Sequence, residues 1–171
     1  GLGAYTLIER NRVEREGREK AELERKRADD EAAKAKMAAL QSKSLLDARR
    51  ALEWGEGNDL LLSILKKAAS ETEPDSVWLT EAGRLLYETN DRKMYREAES
   101  FLVEATTLDT ARAYEALYYL HLIHDKGRDA HSSKYLNGIR IRAKAIGDND
   151  NVFVLISRCD EAIEIEDYEK A

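Results

Sequence analysis

An all-α fold is predicted, an array of αα-hairpins preceded by a long charged helix, and three observations predict it. The first is a recurring motif: Leu61-x-x-Ile64-Leu65-x-x-Ala68, Ala98-x-x-Phe101-Leu102-x-x-Ala105 and Ser132-x-x-Tyr135-Leu136-x-x-Ile139. The copies lie about 34 to 37 residues apart, a period typical of stacked helical hairpins. The second is a near absence of β-branched alternation, with one proline, Pro74, in 171 residues. The third is a split in composition. The chain is 36% charged, well above the usual quarter, and the excess sits mostly before residue 37. The reading is therefore two regions, an extended charged helix over 1–41 and a helical repeat domain over 42–171.

The N-terminal helix is justified by its charges. Opposite charges recur four residues apart, as in Arg10–Glu14, Arg12–Glu16, Arg18–Glu22 and Lys26–Asp30. Each such pair contributes only about 0.2–0.5 kcal/mol, but many in series, between good helix formers, hold a long helix. Gly17 is its weak point, costing about 1 kcal/mol relative to alanine. A seam at Ala21, Ala28, Ala32, Ala35, Ala39 and Leu46 continues backwards onto Arg25, Arg18 and Glu14. Small and charged seam residues make a poor coiled-coil dimer, so a solvated single helix is expected over 9–36, with a weak or partner-assisted coiled coil as the second reading. Ahead of it, the apolar stretch Gly1–Ile8 reads either as the trailing end of a membrane anchor upstream of Gly1 or as a tag remnant with a frayed helix start.

Beyond Lys43 the pattern predicts helices over 42–54, 58–70, 76–88, 92–107, 110–125, 130–146 and 150–166. Turn residues separate them: Gly55 to Asp59, Thr72 to Ser76, Thr89 to Asp91, Leu108 to Thr110, Lys126 to Asp129 and Gly147 to Asp150. Asp59 is expected to cap the second of these helices, and Asp75 or Ser76 the third. Loops this short force consecutive helices to pack antiparallel. Ala98, Phe101, Leu102 and Ala105 are expected to be buried between units.

One stretch carries a family resemblance: Ala82-Gly83-x-x-Leu86, then Ala98-Glu99-Ser100-Phe101-Leu102-Val103-Glu104-Ala105, then Ala111-x-Ala113-x-x-x-Leu117. It resembles the Sel1-like repeat, a relative of the tetratricopeptide repeat, over roughly residues 42–166 and best over 76–123. The pattern's glycine is replaced by Arg49, Tyr118 and Ser157 in the other units. The resemblance implies that the first helices of successive units line a concave binding surface. With Leu45, Leu79, Tyr114 and Phe153 aligned as equivalent, the residues facing it are Arg50, Arg84, Tyr119 and Arg158, with Tyr87 one turn beyond Arg84. Arginines beside tyrosines suit a carboxylate or an acidic segment.

Other chemistries find little support in the residues. His121, His124 and Asp125, with His131 beyond the loop, offer too few ligands for zinc. Cys159 lies on the stripe Phe153, Ile156, Cys159, Ile163 and is expected to be a small buried hydrophobe. Neither a glycine-rich phosphate loop nor a Gly-x-Ser-x-Gly elbow is present. A net charge of -6 and a pI near 5.3 argue against a general nucleic-acid footprint. The expected function is a non-enzymatic scaffold or adaptor, without metal or cofactor, tethered through its N-terminal helix to a membrane or a larger complex, with a bacterial cell envelope as the expected setting and the side of the membrane open. Its expected partner is another protein, met as a peptide segment or acidic tail. The alternative is a structural subunit of an envelope assembly, a homo-oligomer formed through the N-terminal helix.

Overall fold

The computed structural model describes residues 1–127 and 132–170, without the side chains of Leu2, Glu164, Ile165, Asp167 and Tyr168. Among the described residues it is helical with no strand: α1 (Leu2–Trp54), α2 (Asn58–Glu71), α3 (Ser76–Glu88), α4 (Arg92–Leu108), α5 (Tyr114–Lys126), α6 (Ser132–Ile146) and α7 (Val152–Lys170). The chain forms two units, Gly1–Leu40 and Gln41–Ala171.

In the first unit the described side chains before Leu40 are all exposed, including Tyr5, Leu7, Ile8, Val13, Leu23 and Met37. Two rungs of the charge ladder close here, Arg10–Glu14 at 3.5 Å and Arg12–Glu16 at 2.9 Å. Nothing crowds Gly17 within 4 Å, so its cost is conformational entropy alone. Among the described residues, no helix is long and apolar enough to cross a membrane.

In the second unit the caps explain the helix starts. Asp75 accepts from the Trp78 amide at 2.8 Å, and Asp91 from the Lys93 amide at 2.9 Å. The expectation that Asp59 caps α2 is corrected, since Asp59 lies inside the first turn. The cap position is Gly57, at φ 110°, with no side-chain bond, while Asn58 reaches across to Asp91 at 3.1 Å. The start of α5 also departs from the pattern, falling at Tyr114 rather than 110. Asp109 accepts from the amides of both Arg112 (3.0 Å) and Ala113 (3.1 Å), and this gives the chain a turn in place of a helical first turn. Ala113 completes that turn at φ 45°, a left-handed conformation unfavourable for alanine. The loop 126–129 and the expected start of α6 at 130 fall partly on residues 128–131, outside the described residues.

Consecutive helices pack antiparallel. Ser76, at the start of α3, donates to the carbonyl of Ala105 near the end of α4 (2.9 Å). Tyr135, early in α6, meets His124, late in α5 (3.2 Å). Helices two apart run parallel: Lys66 of α2 pairs with Glu97 of α4 (2.9 Å), and Tyr87 of α3 meets Tyr119 of α5. The segment of α1 from Gln41 belongs to this stack, since the Trp78 indole donates to the Gln41 carbonyl at 3.1 Å.

The core follows the recurring motif. Ala98, Phe101, Leu102 and Ala105 are all buried, as are Leu61, Leu65 and Ala68 in α2 and Leu136 and Ile139 in α6. Trp78 meets the edge of Phe101 with ring centroids 6.0 Å apart. Arg142 of α6 closes the α4–α5 corner by donating to the carbonyls of Thr106, Asp109 and Arg112 at 2.8–3.2 Å, which satisfies acceptors left open at a helix end. Cys159 is exposed, which corrects the expectation of a buried thiol. The buried stripe of α7 runs through Val154 and Ser157 instead, and two residues past Ser157 a helix has turned about 200°.

Candidate functional site

A groove of about 590 Å³ runs along the second unit, bordered by Leu45 and Arg49 of α1, Val77, Glu81 and Arg84 of α3, Arg112 before α5, Glu115 of α5 and Phe153 of α7. These elements are the odd-numbered, mutually parallel helices, so the groove crosses them in turn. Its centre is Glu81. Arg84 donates to it through Nε (3.0 Å) and Nη2 (2.5 Å), and Arg49 donates to the same carboxylate from α1. A further contact joins Arg84 to Glu88 at 3.6 Å.

The electrostatics follow from that geometry. Burial works against a charged Glu81, but the hydrogen bonds and charges of Arg84 and Arg49 outweigh it and hold the carboxyl below its ordinary pKa. The bond to Glu81 raises the Arg84 guanidinium in turn. Glu115 behaves oppositely. Burial lifts its pKa, Glu81 adds to the lift, and Arg84 only partly offsets it. Burial also raises the Tyr119 hydroxyl, against the nearby Arg84 charge.

A pH prediction follows. The folded pKa of Glu81 lies below its unfolded value near 4.5, so its stabilisation is present above that pH and lost as pH falls through the folded value. Glu81→Gln should therefore lower the urea midpoint at neutral pH and converge with the parent protein in acid. Glu115 has the opposite sign: ionising it costs stability as pH rises past the ordinary carboxyl range. Glu115→Gln should cost less at neutral pH than Glu81→Gln. Equal midpoint losses across the pH range for the two variants would refute the assignment.

Beside the groove lies a row of aromatic rings. Tyr87 stacks on Tyr95 (5.5 Å between centroids) and meets Tyr119 edge-on (5.4 Å); Tyr118 joins Tyr119 to Phe153. The Lys126 ammonium sits 4.5 Å from the Tyr87 ring centroid and bonds the Tyr95 hydroxyl at 2.9 Å. That bond, more than any other effect, raises the lysine's pKa.

Of the five residues proposed from the sequence, Arg84, Tyr87 and Tyr119 come together at the α3–α5 junction. Arg50 stands exposed on α1, and its sequence neighbour Arg49 borders the groove. Arg158 is exposed and donates to Asn149 at 2.8 Å. Glu81, Glu115 and Tyr95 were not singled out from the sequence. Glu81 was legible, standing three residues before Arg84 on the same helix face. Tyr95 was not, because its stacking on Tyr87 depends on how the α3–α4 turn closes.

Elsewhere, His121 contacts the Ser132 carbonyl (3.1 Å), and His124 contacts Glu99 (2.9 Å) and Tyr135, which links α4, α5 and α6. His131 lies outside the described residues. No group of three or more metal-ligating side chains exists among the described residues. Compared with known proteins, the chain matches no family model, no curated protein and no solved structure.

Proposed function

We propose that this protein is a non-enzymatic interaction module, a divergent Sel1/tetratricopeptide-like solenoid that holds a segment of another protein along the groove. The observation that carries the reading is the Arg49–Glu81–Arg84 relay across two parallel helices, with Tyr119 and Tyr87 beside it. Glu81 accepts from Nε and Nη2 along one edge of the Arg84 guanidinium and fixes its rotamer, while Nη1 makes only the longer 3.6 Å ion pair with Glu88, which an incoming carboxylate can displace. The order is imposed by the fold before any ligand arrives, which lowers the entropy cost of binding. The tyrosines add rigid contact area. The groove mixes signs, with Arg49, Arg84 and Arg112 against Glu81 and Glu115, so it suits an extended segment engaged through its backbone as well as its side chains.

Selection of binders from a random peptide-display library tests this. Peptides that win should lose about 10- to 100-fold in affinity for Arg84→Ala, a loss of about 1.5–3 kcal/mol, and should also weaken with Tyr119→Ala. Both variants must keep their helical circular dichroism. Winning peptides that bind both variants as tightly as the parent protein would remove the groove as the binding site.

A further inference from the structure

A second groove, of about 1050 Å³, lies where the N-terminal turns of α4 meet the end of α5. It is lined by Arg92, Lys93, Arg96 and Lys126, with Tyr95 and Ile123 giving it an apolar wall. The chain as a whole is acidic, so this concentration of cations is local. Two carboxylates stand at it among the described residues, Glu97 in its lining and Asp91 at the head of α4, and both have partners. Glu97 pairs with Lys66 of α2 at 2.9 Å, and Asp91 is held by the Lys93 amide and by Asn58.

Arg49, Arg84, Arg140, Arg142 and Arg158 each have a hydrogen-bond or ion-pair acceptor in the second unit. Arg92, Lys93 and Arg96 are exposed, and among the described residues no hydrogen bond or ion pair of their side chains is formed. Lys126 does have partners, but Asn90, Tyr95 and the ring of Tyr87 are all neutral, so they position its charge without cancelling it. Their placement also opposes local helix physics. Cations in the first turns of a helix face the positive end of its dipole, and Arg92, Lys93 and Arg96 occupy those turns of α4. The Asp91 carboxylate at the cap offsets part of this, and the cations that remain without a side-chain acceptor, Arg92 and Arg96, mark a functional surface rather than a structural one.

We propose that this groove docks an acidic segment of a partner protein, with carboxylates set on Arg92, Arg96 and Lys126 and an apolar side chain between them against Tyr95 and Ile123. Arginine forks bind carboxylates bidentately, and the apolar wall distinguishes a peptide from a uniformly charged polyanion. The site is distinct from the groove proposed above, although Tyr95 and Lys126 touch Tyr87, which stands beside that groove. It shares none of that groove's lining residues.

The test uses the full chain and a fluorescent glutamate-rich peptide with a central leucine, followed by anisotropy at low and moderate salt. Binding should weaken as salt rises. Arg92→Ala and Arg96→Ala should each weaken it by about tenfold, while Arg84→Ala leaves it unchanged. Thermal stability of the two alanine variants should stay level or rise, because each removes a cation from a helix N-terminus. Absence of binding at low salt, equal binding by Arg92→Ala and Arg96→Ala, or tighter binding of a single-stranded RNA of equal charge would each overturn the proposal.

Discussion

Phe101→Ala should destabilise the second unit, Gln41–Ala171, by about 3–5 kcal/mol, with Trp78→Ala close behind. Both side chains are at least nine-tenths buried and they touch edge to face. Each joins a different pair of elements. Phe101 belongs to α4, and Trp78 ties α3 to α1 through its bond to the Gln41 carbonyl. Removing either ring leaves a cavity bounded by helices that are fixed by their other neighbours, so little of the loss is recovered by collapse. Because the residues are in contact, the double variant should lose less than the two single losses combined. Urea denaturation of the four proteins measures this. An unchanged midpoint for Phe101→Ala would show that α4 presents a different face to the core.

Gly83→Ala should cost about 2 kcal/mol, even though alanine is the better helix former by about 1 kcal/mol. A β-carbon at this position would lie 2.5 Å from Cγ of Leu102 and 2.7 Å from its Cδ2. Leu102 is fully buried, so it cannot swing away, and the Ala98 carbonyl closes the remaining side at 3.2 Å. Glycine is required here for close approach of α3 and α4; its φ is that of an ordinary helix. Shortening the opposing side chain relieves the clash. Leu102→Ala alone should cost about 2–5 kcal/mol, and in that background the added cost of Gly83→Ala should vanish or reverse. Strictly additive losses in the four-protein cycle would mean that the two residues do not oppose each other.

Much of this fold could be read along the chain because helical hairpins are local objects. The spacing of Ala98, Phe101, Leu102 and Ala105 fixes one apolar stripe at the helical period, and that stripe is the one buried. Asp75 and Asp91 stand where a cap must stand. The long charged stretch has no strong apolar seam to bury, and its described side chains are exposed, Val13 and Leu23 among them. Errors arose where a local signal met a non-local competitor. Asp109 draws two amides to itself and moves the start of α5, and Arg142 arrives from α6 to hold the same corner. Cys159 sits on an apolar repeat, but which stripe of a terminal helix is covered depends on the neighbours it has. Here α5 and α6 cover Val154 and Ser157.

The candidate sites divide the same way. The sequence by itself determined that arginines and tyrosines would stand on parallel helices, since residue type and helical period are properties of each segment alone. Only the tertiary structure decided that Arg49 rather than Arg50 borders the groove, because neighbouring residues on a helix point about 100° apart and interhelix rotation selects one of them. Only the structure decided that Glu81 is shared between Arg49 and Arg84. It also decided that Glu97 pairs with Lys66 and that Asp91 is bonded by Asn58, leaving Arg92 and Arg96 without side-chain acceptors among the described residues. Charge pairing across helices is set by distances of a few ångströms between residues about 30 positions apart, and no pattern within one segment encodes them.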